Sequence, residues 1–359
     1  MSASRLYDIW FRYVGKLLPG ERITRVCNLT WLIVGLYLSR SVHLSRVAAK
    51  LPFRVTLCAT VQRLSRFLQN SAFRVRVWYR PIAQALLAEA ALHGLIRLVV
   101  DGSKVGAGHQ LLIVTVAYRH RALPIAWTWV RGSRGHSGAD RQLALLRYVY
   151  TLLPAEVSVL LVGDCEFGAV PVLQQLRAWR WCYVLRQKGS SLVCVDRSFH
   201  WYPFAALVSA KGRCFWYPKA FLTQQHLYAT GLLAYWKPGE DEPWLLATNL
   251  PDATTTLRAY RYRMWIEEMF GDWKGHGLDL ERTRLGHFLR PTRLTFAAPL
   301  WYLWLVTRGS QMIKAGQRRL VDHRNRRDLL LPHRPLHDGP TLCFGFALRD
   351  QLDPVLLKL

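Results

Sequence analysis

The chain has 359 residues, enough for two or three domains, and its 51% hydrophobic content excludes a disordered basic tail. A formal net charge of +26 gives the chain a field that attracts polyanions, with nucleic acid first among them. Only 10 of the 49 cations are Lys, and Arg is the better fork for phosphate and guanine edges. The cations are spread along the whole chain and form no single polybasic cluster beside an apolar anchor, which sets a membrane surface aside. Seven cysteines without a C-x-x-C pair exclude a disulfide framework or a zinc ribbon, and Cys58, Cys182 and Cys194 read as buried small hydrophobes. Arg5, Asp8 and Arg12 interrupt the first stretch, so a signal peptide is not expected. The longest apolar runs fall short of the roughly 20 residues that span a bilayer. The expected compartment is a reducing cytoplasm or nucleoid.

In chain order, residues 1–94 read as helical. Leu44, Val47, Ala48 and Leu51 mark one amphipathic run, and Val61, Leu64, Phe67 and Leu68 mark a second, on either side of Pro52. Arg63, Arg66, Arg74, Arg76 and Arg80 lie in or just after the second run, which suits a helical DNA-binding region or an ordinary helical hairpin with a basic face. Residues 95–290 have a different texture. Short apolar runs at 96–101, 110–118 and 123–130 predict three successive strands, followed by a helix near 138–153 and a strand at 157–164. A helix at 169–179 and a strand at 181–186 complete the order β-β-β-α-β-α-β, a ribonuclease H-like mixed sheet with helices on both faces. Residues from about 187 to 250 read as a β-rich insertion. A helix carrying Tyr260–Lys274 follows, with Thr254–Thr256 offering N-caps. Residues 291–359 read as a helical block and then an arginine- and histidine-rich tail.

Two aspartates stand at predicted strand ends, Asp101 before Gly-Ser-Lys and Asp164 before Cys-Glu-Phe-Gly. Alone, each is as well explained as a turn former. Together they become a constellation, because the first and fourth strands of such a sheet are neighbours. In YRYRMWIEEMFGDWK, at about 100° per residue, Tyr260, Arg263, Glu267 and Lys274 fall within a helical sector roughly 60° wide. Ile266, Met269, Phe270 and Trp273 form the adjoining apolar stripe. Glu268 lies about 100° from Glu267 and off the polar face. Three carboxylates that meet at one sheet edge would suit Mg²⁺ or Mn²⁺, two ions of which serve phosphodiester chemistry.

These residues resemble the DDE transposases of the insertion-sequence-four group, whose signature Y-x2-R-x3-E-x6-K is matched without a gap by Tyr260, Arg263, Glu267 and Lys274. VVDGSK and LVGDCEF match the two aspartate motifs, and Thr248–Pro251 resembles the segment that precedes the signature helix. The resemblance spans residues 25–310. It implies a metal-binding catalytic triad of Asp101, Asp164 and Glu267, and phosphate contacts from Tyr260, Arg263 and Lys274. Trp265 would face DNA or the insertion, and Trp236 or Trp244 would be candidates to stack a flipped base, although each reads more simply as a core aromatic. It also implies double-stranded DNA partners, namely terminal inverted repeats and a target, a homodimer in the synaptic complex and a prokaryotic host. The alternatives are a DNA-binding protein that no longer cuts and a junction-resolving nuclease on the same fold.

Overall fold

A computed structural model of the chain describes residues 2–105, 108–132, 137–196, 200–274, 278, 280 and 289–317. The basic tail read around residues 323–335 lies outside them. The chain divides into two units, Met1–Leu86 with Val105–Ala107 and Phe270–Leu359, and Leu87–Lys104 with Gly108–Met269.

The first unit is helical. Its apolar periodicities become α1 (Ala3–Leu17), α2 (Ile23–Ser39), α3 (Leu44–Ala49), α4 (Leu57–Gln69), the start of α5 (Val75–Ala91) and, late in the chain, α10 (Leu289–Lys314). The side chains of Ser2 and Thr56 cap α1 and α4 by accepting from Arg5 N and Ala59 N. α2 is apolar around most of its circumference and burial of Leu29, Leu32, Ile33 and Leu36 is nearly complete, so it forms the middle of this unit. α1, α3, α4 and α10 all pack on it. The two runs flanking Pro52 are α3 and α4, in contact with each other. Arg293 of α10 is buried because its guanidinium donates to the carbonyls of Phe73 (3.1 Å) and Leu68 (2.8 Å). Of the three cysteines expected to be buried, Cys194 is buried, Cys182 is half-buried and Cys58 is exposed. Cys58 falls in the first turn of α4, ahead of that helix's first buried residue, Thr60.

Among the described residues, the second unit is built on one ten-stranded sheet. Its strands are β1 (Leu95–Val105), β2 (His109–Tyr118), β3 (Arg121–Arg131), β4 (Ser158–Gly163), β5 (Cys182–Arg186), β6 (Leu192–Cys194), β7 (Tyr202–Pro203), β8 (Cys214–Leu222), β9 (Tyr228–Tyr235) and β10 (Trp244–Thr248). They lie in the order β3-β2-β1-β4-β5-β10-β9-β8-β6-β7. β1, β4 and β5 are parallel, joined through α6 (Ala139–Tyr150) and α7 (Val170–Ala178), while β2–β3 and β5–β10 are antiparallel. This is the mixed α/β sheet of the ribonuclease H-like order. The insertion is not a separate body: β10 pairs with β5, so its strands lengthen the same sheet. Thr248 and Asn249 make that join, with Thr248 Oγ1 donating to Tyr183 O (2.8 Å) and Asn249 accepting from Tyr183 N (2.9 Å).

Helices cover both faces. Tyr183 of β5 reaches the α7 side, where its hydroxyl meets that of Tyr228, itself bonded to Leu173 O. Arg186, on the opposite face by strand alternation, is in register with Leu246 and shares its face with Trp244. Trp244 packs edge-on to Tyr260 of α8 (Ala253–Tyr260), which places α8 on that second face. The cap of α8 is Asp252, not one of the threonines: its carboxylate accepts from Thr255 N at 2.7 Å and from Thr255 Oγ1 at 2.7 Å. A carboxylate at this position outcompetes the hydroxyls that follow because it also complements the helix dipole. Among the described residues, no helix is long and apolar enough to cross a membrane.

Candidate active site

Asp101 and Asp164 are brought side by side by parallel pairing. β1 and β4 run in register to Val100 opposite Gly163, and the next residue of each chain segment is an aspartate. Asp101 does not end its strand. It is the seventh residue of β1, which continues to Val105; β2, its neighbour on the other side, begins four residues later at His109. Asp164 does leave its strand, as the residue that opens a 3-10 turn at Cys165–Phe167. Phe167, buried completely, anchors that turn.

Tyr260–Lys274 is not one continuous helix. α8 ends at Tyr260, Arg261–Arg263 form a 3-10 turn, and α9 (Met264–Trp273) begins after it. The tighter winding brings i and i+3 nearly into line, so Tyr260 and Arg263 are aimed alike at the point where the chain passes the two aspartates. Ile266 and Met269 are fully buried, and Phe270 and Trp273 nearly or fully so, as the apolar stripe requires. Glu268 is 56% exposed and pairs with Arg121 (3.8 Å), away from the aspartates.

Arg263 organises the centre. Its Nη2 lies 2.8 Å from Glu267 Oε1, 3.4 Å from Asp101 Oδ2 and 3.7 Å from Asp164 Oδ2. Asp101 is only 2% exposed, and its Oδ1 accepts from Gly102 N at 2.7 Å. Burial pushes its carboxyl up to about 7; Arg263 opposes that rise, while the negative charges of Asp164 and Glu267 add to it. Arg263 loses stabilisation by burial, but the charges of Asp101 first, then Asp164 and Glu267, with the Tyr260 phenol beside them, hold the guanidinium more firmly protonated than usual.

Among the described residues, no group of three or more His, Cys, Asp or Glu side chains is disposed to hold a metal ion as it stands. The space between the three carboxylates is taken by Arg263 Nη2. The donor set nevertheless fits a hard divalent cation. Asp164 Oδ1 is buried without a hydrogen-bond partner, and Asp101 is short of compensating positive charge. A cation held by Asp101, Asp164 and Glu267 would relieve both.

Tyr260 is 2% exposed and enclosed against Trp244 at 5.1 Å, and burial raises its phenol above the usual range. Trp265 packs on His120 of the β2–β3 turn (4.9 Å) and on Tyr262 (4.8 Å). Trp244 lies half-buried between Tyr235 and Tyr260, and Trp236 donates from its indole to Glu240 O. Lys274 belongs to the helical unit, its Nζ 5.7 Å above the Phe270 ring.

Glu166 was passed over in the sequence. It sits two residues beyond Asp164, and its carboxylate accepts from Gln110 Nε2 (2.7 and 2.9 Å), from Ser137 N (2.9 Å) and from Ser137 Oγ. The only signal was an acid inside the second aspartate motif, and its partners lie far off in sequence.

Residues 98–292 match a family model described as the transposase DDE domain, a stretch that includes both aspartates and all of Tyr260–Lys274. No curated protein matches the chain. Among solved structures, the chain is similar to a cryo-EM structure of the piggyBac transposase synaptic complex with hairpin DNA. The TM-score is 0.47 at 8% identity, over 91% of this chain and 78% of that one.

Proposed function

Because the chain belongs to the transposase DDE domain family, a family of DNA-cutting and DNA-joining enzymes, we propose that it acts at terminal inverted repeats, cutting each end with water and joining the freed 3′-hydroxyl to target DNA. The spacing of Tyr260, Arg263, Glu267 and Lys274 places it, in our reading, in the insertion-sequence-four group. The observation that carries the proposal is the convergence of Asp101, Asp164 and Glu267 on Arg263 Nη2.

Asp101, Asp164 and Glu267 are assigned as the residues that would hold two Mg²⁺ ions, with Mn²⁺ as a substitute. Bound there, the ions would supply activation of the attacking oxygen and charge stabilisation at the leaving one. The protein's own part is positional. The parallel strands hold two carboxylates on a rigid edge, and α9 delivers the third from a buried apolar stripe. Arg263 keeps the three acids from repelling one another and, with Lys274, is assigned to grip phosphate at the element's end. Tyr260 is assigned to the same DNA contact. Trp265 is assigned to DNA at the β2–β3 turn. Two ends must be held together for joining, so a homodimer on DNA is proposed, in a nucleoid-associated prokaryotic setting.

The test is cleavage and strand transfer on a donor element. Asp101→Ala, Asp164→Ala and Glu267→Ala are expected to keep end binding and lose Mg²⁺-dependent cleavage by at least about a thousandfold, whereas Glu268→Ala keeps it. Full cleavage by any of the three alanine variants would overturn the assignment. Joining of a pre-cut end by the wild type separates a transposase from a junction-resolving nuclease, which would leave such an end unjoined.

A further inference from the structure

We infer that Glu166 is a positioning residue that fixes the spacing between the two aspartate-bearing segments. The inference rests on the assignment of Asp101 and Asp164 to the metal site.

Three elements meet at its carboxylate. Oε1 accepts from the backbone N–H and the hydroxyl of Ser137, just ahead of α6, and from Gln110 of β2 at 2.9 Å. Oε2 accepts from the same Gln110 amide at 2.7 Å. The third element is β1 itself. A Cβ built on Gly102, the residue after Asp101, would lie only 2.6 Å from Glu166 Oε2, so the carboxylate rests directly against the backbone beside that aspartate. The turn's backbone is held as well: Gln142 Nε2 donates to Glu166 O at 2.8 Å and to Ser137 O and Oγ at 2.9 Å. Gln110 and Gln142 are fully or almost fully buried, so none of this network slides freely. One side chain, two residues past Asp164, thereby braces that turn against the residue that follows Asp101.

The carboxylate's acceptor positions are engaged by neutral donors of Ser137 and Gln110, whereas the three acids around Arg263 are held by a cation. It therefore acts through Asp101 and Asp164 and does not itself face the reacting phosphate. Charge is not its essential property; shape and the number of hydrogen bonds it can make are. Gln110 Oε1 is buried without a partner, so in Glu166→Gln the Gln110 amide can turn over and offer that oxygen to the new amide N–H. The Ser137 bonds are kept in that variant. In Glu166→Ala the brace is lost altogether.

The experiment is calorimetric titration of the full chain with Mn²⁺, alongside kcat and KM for cleavage of a DNA end, for wild type, Asp164→Ala, Glu166→Ala and Glu166→Gln. Glu166→Ala is expected to weaken Mn²⁺ binding and lower kcat about tenfold or more, with KM for DNA unchanged, while Glu166→Gln stays within about threefold of wild type. Wild-type Mn²⁺ affinity in Glu166→Ala overturns the inference. So does a Glu166→Gln variant as impaired as Asp164→Ala, which would make Glu166 a ligand. If Glu166→Ala does not fold, Ser137→Ala decides: weakened Mn²⁺ binding supports the brace and an unchanged affinity refutes it. If wild type and Asp164→Ala bind Mn²⁺ alike, the site assignment itself has failed; if they differ and the Glu166 variants do not, only the brace has.

Discussion

Asp101 stands at the balance point of the site. Its carboxyl is buried in a strand, and burial, aided by the charges of Asp164 and Glu267 and opposed by Arg263, raises it from 3.8 to about 7. The folded state therefore holds a proton on Asp101 that the unfolded state gives up. Between pH 3.8 and about 7 this group makes stability fall as pH rises, and above that window the penalty is fully present. Asp101→Asn, which cannot ionise, is expected to lose that part of the slope. With chelator present, melting temperatures followed from pH 4 to pH 8 should decline more for wild type than for the variant; parallel curves would mean Asp101 is ionised throughout. The signature residues were legible in sequence because their spacing is local and chemically distinctive. The burial of Tyr260 was not, since it depends on Trp244 from β10, nor was the role of Glu166, whose donors Gln110 and Ser137 lie 56 and 29 residues away.

Elements convert those residues into a site through backbone geometry. β1 and β4 approach closely where Gly163 faces Val100: a Cβ on Gly163 would stand 2.7 Å from Val100 Cγ1, 3.0 Å from Leu185 Cδ2 and 3.2 Å from Val100 O. Gly163→Ala should therefore force the strands apart, at a cost of about 1–3 kcal/mol, and carry Asp164 with them. Urea unfolding reads the first effect and a drop in cleavage of about tenfold or more the second. Unchanged stability would contradict the parallel pairing. The strands and the stripe of Ile266, Met269, Phe270 and Trp273 could be read from periodicity, because burial imposes it on the sequence. The fusion of β10 to β5 could not, as it rests on bonds of Thr248 and Asn249 to a strand some 65 residues earlier. The 3-10 turn at Arg261–Arg263 was equally hidden, because an unbroken helix accounts for the same spacing.

Across the whole molecule, 49 cations face 23 acids, so the charge that draws DNA is general while the negative charge that would bind metal is local. Binding and chemistry should then separate experimentally. Each phosphate neutralised by the protein releases condensed counterions, and the slope of log affinity against log salt counts those contacts. Lys274→Ala is expected to lower the slope for a DNA end by about one unit and to weaken all sequences similarly. Glu267→Ala removes an acid, not a phosphate contact, and should leave the slope where it was while cleavage disappears. Fluorescence anisotropy of a labelled end between 50 and 300 mM salt measures both. An unchanged slope in Lys274→Ala would remove that lysine from the DNA contact. A slope that fell with Glu267→Ala would mean that the carboxylate cluster orders the DNA-gripping side chains through Arg263, and that binding and metal capture are one event.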